Sequence, residues 1–174
     1  MRGPLHTLIG KYLPDLIFGA NDGIITTLAV VSGVVGAALS TTVILILGFA
    51  NLVADGFSMG ASNVLSRRSS TQAGPLPTLA SVATHGVATF IGFVVAGLVP
   101  LLAYLIPWFG DRPFAVAIGL ALGTLFAVGA SRAIFTERGW LVSGTEMLLI
   151  GSFAAAVAYG VGAIGAAIIG DSSS

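Results

Sequence analysis

The chain has 174 residues, 56% of them hydrophobic and 8% charged, with a mean hydropathy of +1.01 and no net formal charge. Soluble domains carry about 25% charged residues, so a soluble globule is excluded, and a neutral chain offers no electrostatic footprint for nucleic acid. With no cysteine, disulfides, thiolate metal sites and cysteine nucleophiles are excluded together, and any metal must be held by oxygen, imidazole or thioether.

Taken in order, residues 1–14 (Arg2, His6, Lys11, Pro14) read as a short amphipathic lead-in, too short and too polar for a cleavable signal. Span one is expected at about 15–39, with Pro14 where a helix start tolerates it, and span two at about 42–66. Arg67 to Pro77 reads as a polar, proline-punctuated loop. Span three is expected at 78–106, broken near its end by Pro100 and Pro107. Trp108 to Pro113 reads as an interfacial turn, and span four as 114–135. Thr136 to Trp140 form the next loop, and span five covers 144–169, before a polar Asp-Ser-Ser-Ser tail. The expectation is an all-α integral membrane protein: one transmembrane domain over 1–174, five helices, and no room for an extramembrane domain. With the N-terminus in the cytoplasm, the inner segments hold Arg2, Lys11, Arg67, Arg68, Arg132 and Arg138, and the outer ones only Arg112. That bias predicts a cytoplasmic N-terminus and a C-terminus on the opposite side.

Span two carries the most informative stretch, Asn51-Leu-Val-Ala-Asp55-Gly-Phe-Ser-Met59-Gly-Ala-Ser-Asn63. Asn51, Asp55, Met59 and Asn63 recur every four residues and share one helix face. Asp55 lies ~18 Å from either end of the span at 1.5 Å per residue, where a carboxylate costs at least ~2.5–3.5 kcal/mol and needs a partner, water or a cation. A structural alternative pairs it with Arg132 or hydrogen-bonds it between helices. Asp22, in Gly19-Ala-Asn-Asp-Gly23, reads either as part of a turn before a span starting at Gly23 or as a helical residue ~10 Å inside the membrane. Met59 lies ~12 Å from the same side, so a shared site is expected. Met59 is otherwise core filler, and Asn51 and Asn63 are otherwise interhelical hydrogen-bonders. Ser143-x-x-Glu146 fits a capping box, although Glu146 could also face the mouth of the same pathway. His85 reads as structural or, alternatively, as a ligand. Tyr104, Trp108, Trp140 and Tyr159 read as interfacial anchors.

Carboxylates suit hard divalent cations and protons, and a thioether adds preference for softer first-row metals. Asp22, Asp55 and Met59 therefore point to Fe²⁺ or Mn²⁺ rather than Na⁺ or Mg²⁺. Metal and proton compete for the same carboxylate oxygens, which is the minimal chemistry of a metal/proton antiporter.

Three segments carry a resemblance: Gly19-Ala-Asn-Asp-Gly-Ile-Ile-Thr-Thr, Ala54-Asp-Gly-Phe-Ser-Met-Gly-Ala-Ser-Asn63 and Ser143-Gly-Thr-Glu-Met-Leu-Leu-Ile-Gly151. Together they resemble the vacuolar iron transporter family of yeast and plant iron and manganese carriers, over nearly the whole chain. The resemblance implies a homodimeric Fe²⁺/H⁺ exchanger with its pathway near the dimer axis, lined by Asp22 and Met59. Two features depart from that pattern. Asn63 stands where well-known eukaryotic members carry glutamate, and the 67–77 loop replaces their Glu-rich cytoplasmic metal-binding domain. The chain thus resembles the short branch, with Asp55 replacing part of the missing acidity.

The reading is a non-enzymatic transporter without a resident cofactor. Its candidate metal residues are Asp22, Asp55, Met59, Asn63 and Glu146. The expected partners are lipid, Fe²⁺ or Mn²⁺, protons and a second copy of the chain, packed through the span-one glycines at Gly33 and Gly36. It would lie in a cell membrane in a prokaryote, or in a vacuolar or other organelle membrane in a eukaryote. Two rivals remain: a membrane scaffold packed through small residues, and an intramembrane aspartyl protease using Asp22 and Asp55.

Overall fold

In lipid a backbone can satisfy its hydrogen bonds only within a helix or a closed barrel, and apolar runs of this length choose the helix. The computed structural model describes residues 4–70, 77–109, 112–134 and 138–171, with side chains from residue 10 onward. The Arg2 and His6 side chains, loop residues 71–76, turn residues 110–111, loop residues 135–137 and the 172–174 tail lie outside the described residues. Five helices are long and apolar enough to cross a membrane: α1 (Pro4–Gly36), α2 (Thr41–Ser69), α3 (Leu79–Leu105), α4 (Pro113–Ser131) and α5 (Trp140–Asp171). The protein is an all-α integral membrane chain.

Several boundaries move from where the sequence put them. Helix α1 starts well before Asp15 and runs straight through Pro14. The carbonyl that Pro14 leaves without a donor belongs to Gly10, whose α-carbon faces open space. The same helix therefore carries Asp22 in its interior, which removes the turn reading of Asn21-Asp22-Gly23. At its other end α1 stops at Gly36 rather than Leu39. Ala38 takes a left-handed φ of 56°, Ala38 N donates to Val35 O (2.9 Å) and Leu39 N to Val34 O (3.1 Å). This is a Schellman close with alanine where glycine is usual. Pro100 does not break α3 but lies buried within it. Helix α5 begins at Trp140, so Ser143 is inside the helix and cannot cap it. The capping-box reading of Ser143 and Glu146 fails for that reason.

Burial ranks the helices. In their apolar windows 56% of α1 and of α3 is buried, against 28% of α2, 22% of α4 and 6% of α5. The centre is the α1–α3 pair, where backbones nearly touch: a Cβ at Gly19 would fall on the Thr89 carbonyl, and one at Gly92 on the Leu16 carbonyl. Helix α2 lies on α3 through Ile44, Gly48, Leu52, Gly56 and Gly60. Helix α5 meets α1 through Gly36 against Tyr159 and Gly162 against Gly33. Gly33 and Gly36 thus face α5 of the same chain, not a second copy. The close packing that these two glycines permit is used within the chain, between α1 and α5.

Candidate functional site

Two Asp-Gly pairs build the site. Gly23 of α1 and Gly56 of α2 both seat their helices on α3 at the level of Phe93, a fully buried ring. In each helix an aspartate immediately precedes that glycine, so its side chain is turned ~100° away from α3. Asp22 and Asp55 therefore lie at one level of the antiparallel helices α1 and α2.

Their surroundings differ from those of a structural ion pair. Asp22 is half-buried and lines a cavity of about 430 Å³ with Asn21, Ile25, Arg132 and Met147. Asp55 is exposed on the outer face of α2, and Met59, one turn on, is half-buried against the core. The ion pairs of the described residues join Asp15 to Arg67 and His85, and Arg138 to Glu146. Neither Asp22 nor Asp55 is in any of them, and the Asp55–Arg132 pairing is not among them. Two further polar atoms, Asn21 Oδ1 and Asn51 Nδ2, are buried without a hydrogen-bond partner. They sit next to Asp22 and one turn from Asp55. Buried polar atoms are normally satisfied; Thr27 Oγ1, Ser32 Oγ and Tyr104 OH share this unsatisfied state with the two amides.

Among the described residues no three His, Asp or Glu side chains converge at metal-binding range. The two carboxylates, the Met59 thioether and the neighbouring amides make an incomplete set.

The other candidates lie elsewhere. Asn63 Nδ2 donates to Asp15 Oδ1 (2.9 Å) and to Thr89 Oγ1 (2.8 Å), and its Oδ1 accepts from Arg67 Nε (2.9 Å). Both polar atoms of its side chain are thus held by protein. Glu146 pairs with Arg138 (2.8 Å) at the surface, next to Met147, which lines the Asp22 cavity. His85 takes its structural reading, its Nδ1 donating to Asp15 Oδ2 (2.6 Å).

Sequence reasoning missed Asp15. Its carboxylate is 4% exposed and accepts from Arg67 Nη2 (2.7 Å), Asn63 and His85, which come from α2 and α3. Thr89 donates in turn to the His85 carbonyl (3.1 Å), and Tyr12 packs its ring 4.9 Å from that of His85. The signal was there: Asp15 lies seven residues before Asp22, on the same face of α1. Reading Pro14 as the helix start hid it, because Asp15 then became an ordinary acidic residue of a first turn.

Comparison with protein families matches residues 13–74 and 72–163 to the VIT family. Among curated proteins, a vacuolar iron transporter of Toxoplasma gondii is 26% identical over 91% of this chain and 76% of its own length. Vacuolar iron transporter homolog 1 of Oryza sativa is 30% identical over 87% of this chain and 72% of its own. A vacuolar iron transporter of Plasmodium falciparum is 46% identical over 65 residues, which are 37% of this chain and only 24% of that protein.

Proposed function

The chain belongs to the VIT family, and on that premise we propose that it carries divalent transition metal, Fe²⁺ or Mn²⁺, across its membrane in exchange for protons. The observation that carries this reading is that Asp22 and Asp55 lie at one level of two apolar helices, with no ion-pair partner among the described residues. Carboxylates at that depth require water, a proton or a cation. Met59 beside them adds the soft ligand that favours first-row metals over Mg²⁺. The similarity to proteins named vacuolar iron transporters supports the same cargo.

The reading extends to assembly and direction. Asp55 shares the exposed face of α2 with Val53 and Phe57, a surface that neither lipid nor water suits alone. A second copy would cover it and bring two more carboxylates to an incomplete shell, so the working unit is a homodimer. The positive-charge bias puts the Arg67 end in the cytoplasm. Metal then loads there and is displaced by protons from the other side, moving out of the cytoplasm.

Uptake by proteoliposomes of purified protein, compared across Fe²⁺, Mn²⁺, Zn²⁺ and Co²⁺, tests the proposal. Acidifying the far side should accelerate uptake and metal influx should drive proton efflux, whereas acid on the loading side should inhibit. Metal moving at full rate without a pH gradient or proton counter-flow would replace the exchanger with a facilitated pore. No flux of any metal would leave the scaffold as the reading.

A further inference from the structure

The exchanger reading uses Asp22, Asp55 and Met59 but gives no role to the most heavily bonded carboxylate in the molecule. We propose that Asp15 is a positioning residue that sets the register of α2 on α1, and so holds Asp55 opposite Asp22. The inference rests on the transport reading for its functional consequence and on geometry alone for its structural one.

Three observations converge on it. Among the described residues, every side-chain hydrogen bond from α2 to α1 and α3 comes from Asn63 or Arg67, and those end on Asp15 and Thr89. The rest of the α2 contact is a stripe of Ile44, Gly48, Leu52, Gly56 and Gly60. Three of its five positions are glycine, which gives close approach but few knobs to resist a slide along the axis. Third, the offsets match. Seven residues, ~10.5 Å, separate Asp15 from Asp22 along α1, and eight, ~12 Å, separate Asn63 from Asp55 along α2. In antiparallel helices a tie at the first level therefore brings the second level into line. A slip of α2 by about one turn, ~5.4 Å, would carry Asp55 past Asp22 and put Asn51 or Met59 near its height. Asp15 is suited to the task because each of its oxygens is claimed from a different side: Oδ1 by Arg67 and Asn63 of α2, Oδ2 by His85 of α3.

Arg67 is the place to test this, since it is partly exposed (41%) and lies at the end of α2, where its loss does not open the core. Arg67→Gln removes the charged tie, and Arg67→Lys keeps a cation for Asp15. Both are compared with the parent in Mn²⁺ uptake by proteoliposomes. Arg67→Gln should raise KM for Mn²⁺ about 10-fold or more, the usual loss when an outer-shell partner of a metal site is removed, and Arg67→Lys should recover most of it. A purely structural role would lower the folded fraction, and with it the maximal rate, leaving KM where it was.

A second measurement needs no transport. Nitroxide labels on Asp22→Cys and Asp55→Cys, in labelled chain diluted with unlabelled chain, report the α1–α2 separation by dipolar broadening. Arg67→Gln should lengthen or broaden it, and Arg67→Lys should not. If Arg67→Gln does not fold, Thr89→Val removes the bond from Asn63 and the hydroxyl's own bond to the His85 carbonyl at nearly constant shape, and should move both readouts the same way by less. Unchanged KM and unchanged spin separation in a folded Arg67→Gln protein would overturn the proposal. If the parent moves no Mn²⁺, the transport reading fails by itself, and the spin-label comparison still decides whether Asp15 sets the register.

Discussion

Helices α1 and α2 meet at two acidic levels two turns apart, and the chemistry of the two is opposite. At the first, Asp15 is buried and its oxygens are taken by a guanidinium, an amide and an imidazole from two other helices. At the second, Asp22 and Asp55 lie level on neighbouring helices, with no ion-pair partner among the described residues and unsatisfied amide atoms beside them. A chain that can satisfy one intramembrane carboxylate so fully does not leave two others unpaired through lack of means. On the proposed reading, the satisfied level fixes the helices and the unsatisfied one is kept open for an ion. Depth in the membrane alone does not mark a functional residue; the state of its hydrogen bonds does.

Neutralising each level in turn would break that comparison most directly. Asp22→Asn and Asp55→Asn should each reduce proton-coupled metal uptake by about 100-fold or more, the upper end of what altering a metal site costs. Thermal stability in detergent should hold or rise, because no partner is lost and a repulsion is relieved. A clear fall in Tm with partial activity retained would place these residues with Asp15 instead. Phe93→Ala comes next, since Gly23 rests on the Phe93 backbone and Gly56 on the Phe93 and Phe90 rings. It should cost ~3–5 kcal/mol, as full truncation of a buried aromatic does, read by denaturation in detergent. Asp15→Ala should cost ~2–4 kcal/mol: breaking a buried ion pair costs several, reduced here because Arg67 can turn to solvent. The four variants separate a site, its support and its tie.

Much of the fold was legible. Five apolar runs and their turn residues give five helices, because in lipid the backbone has few other choices. What misled was proline and serine chemistry learned from water-soluble helices. Pro14 and Pro100 end or start helices there, yet here α1 and α3 run through both, since breaking the helix in an apolar medium costs more than one lost bond. Ser143-x-x-Glu146 matched a cap by spacing, but the helix had already begun at Trp140. Of the site, Asp22, Asp55 and Met59 were visible as polar or soft residues at matching depths. Their convergence was not, because it depends on which face rests on α3, and that is set by Gly23 and Gly56 against Phe93. The glycines of α1 were read as a surface for a second chain, whereas α3 and α5 of the same chain cover them.

A finer cut within the open level concerns Met59. If it is the soft ligand, Met59→Leu should spare folding and weaken Fe²⁺ or Co²⁺ several-fold relative to Mn²⁺, a difference of about 1 kcal/mol by the tenfold-per-1.4 rule. Competition between metals in one uptake assay reads this ratio without depending on protein yield. An equal loss for all metals would assign Met59 to the packing it also makes with the core.

Glu146 supplies the smallest expected effect and a control for the comparison, because it belongs to neither level. Its carboxylate is 40% exposed and accepts from Arg138, itself 67% exposed, at 2.8 Å. An ion pair so open to solvent is worth about 0.2–1 kcal/mol and weakens with salt. Glu146→Gln should therefore shift Tm by no more than a degree or two, and the shift should vanish at high ionic strength. Removing Arg138 instead should give the same small change, and removing both should add nothing, since a single weak interaction is lost once. Metal uptake discriminates further. If open carboxylates act only where two face each other, Glu146→Gln leaves both the rate and the metal preference as they were. If instead it raises KM for every metal alike, at low salt and not at high, then Glu146 draws cations toward the pathway by long-range field. The functional set would then extend from the Asp22–Asp55 level out to the start of α5.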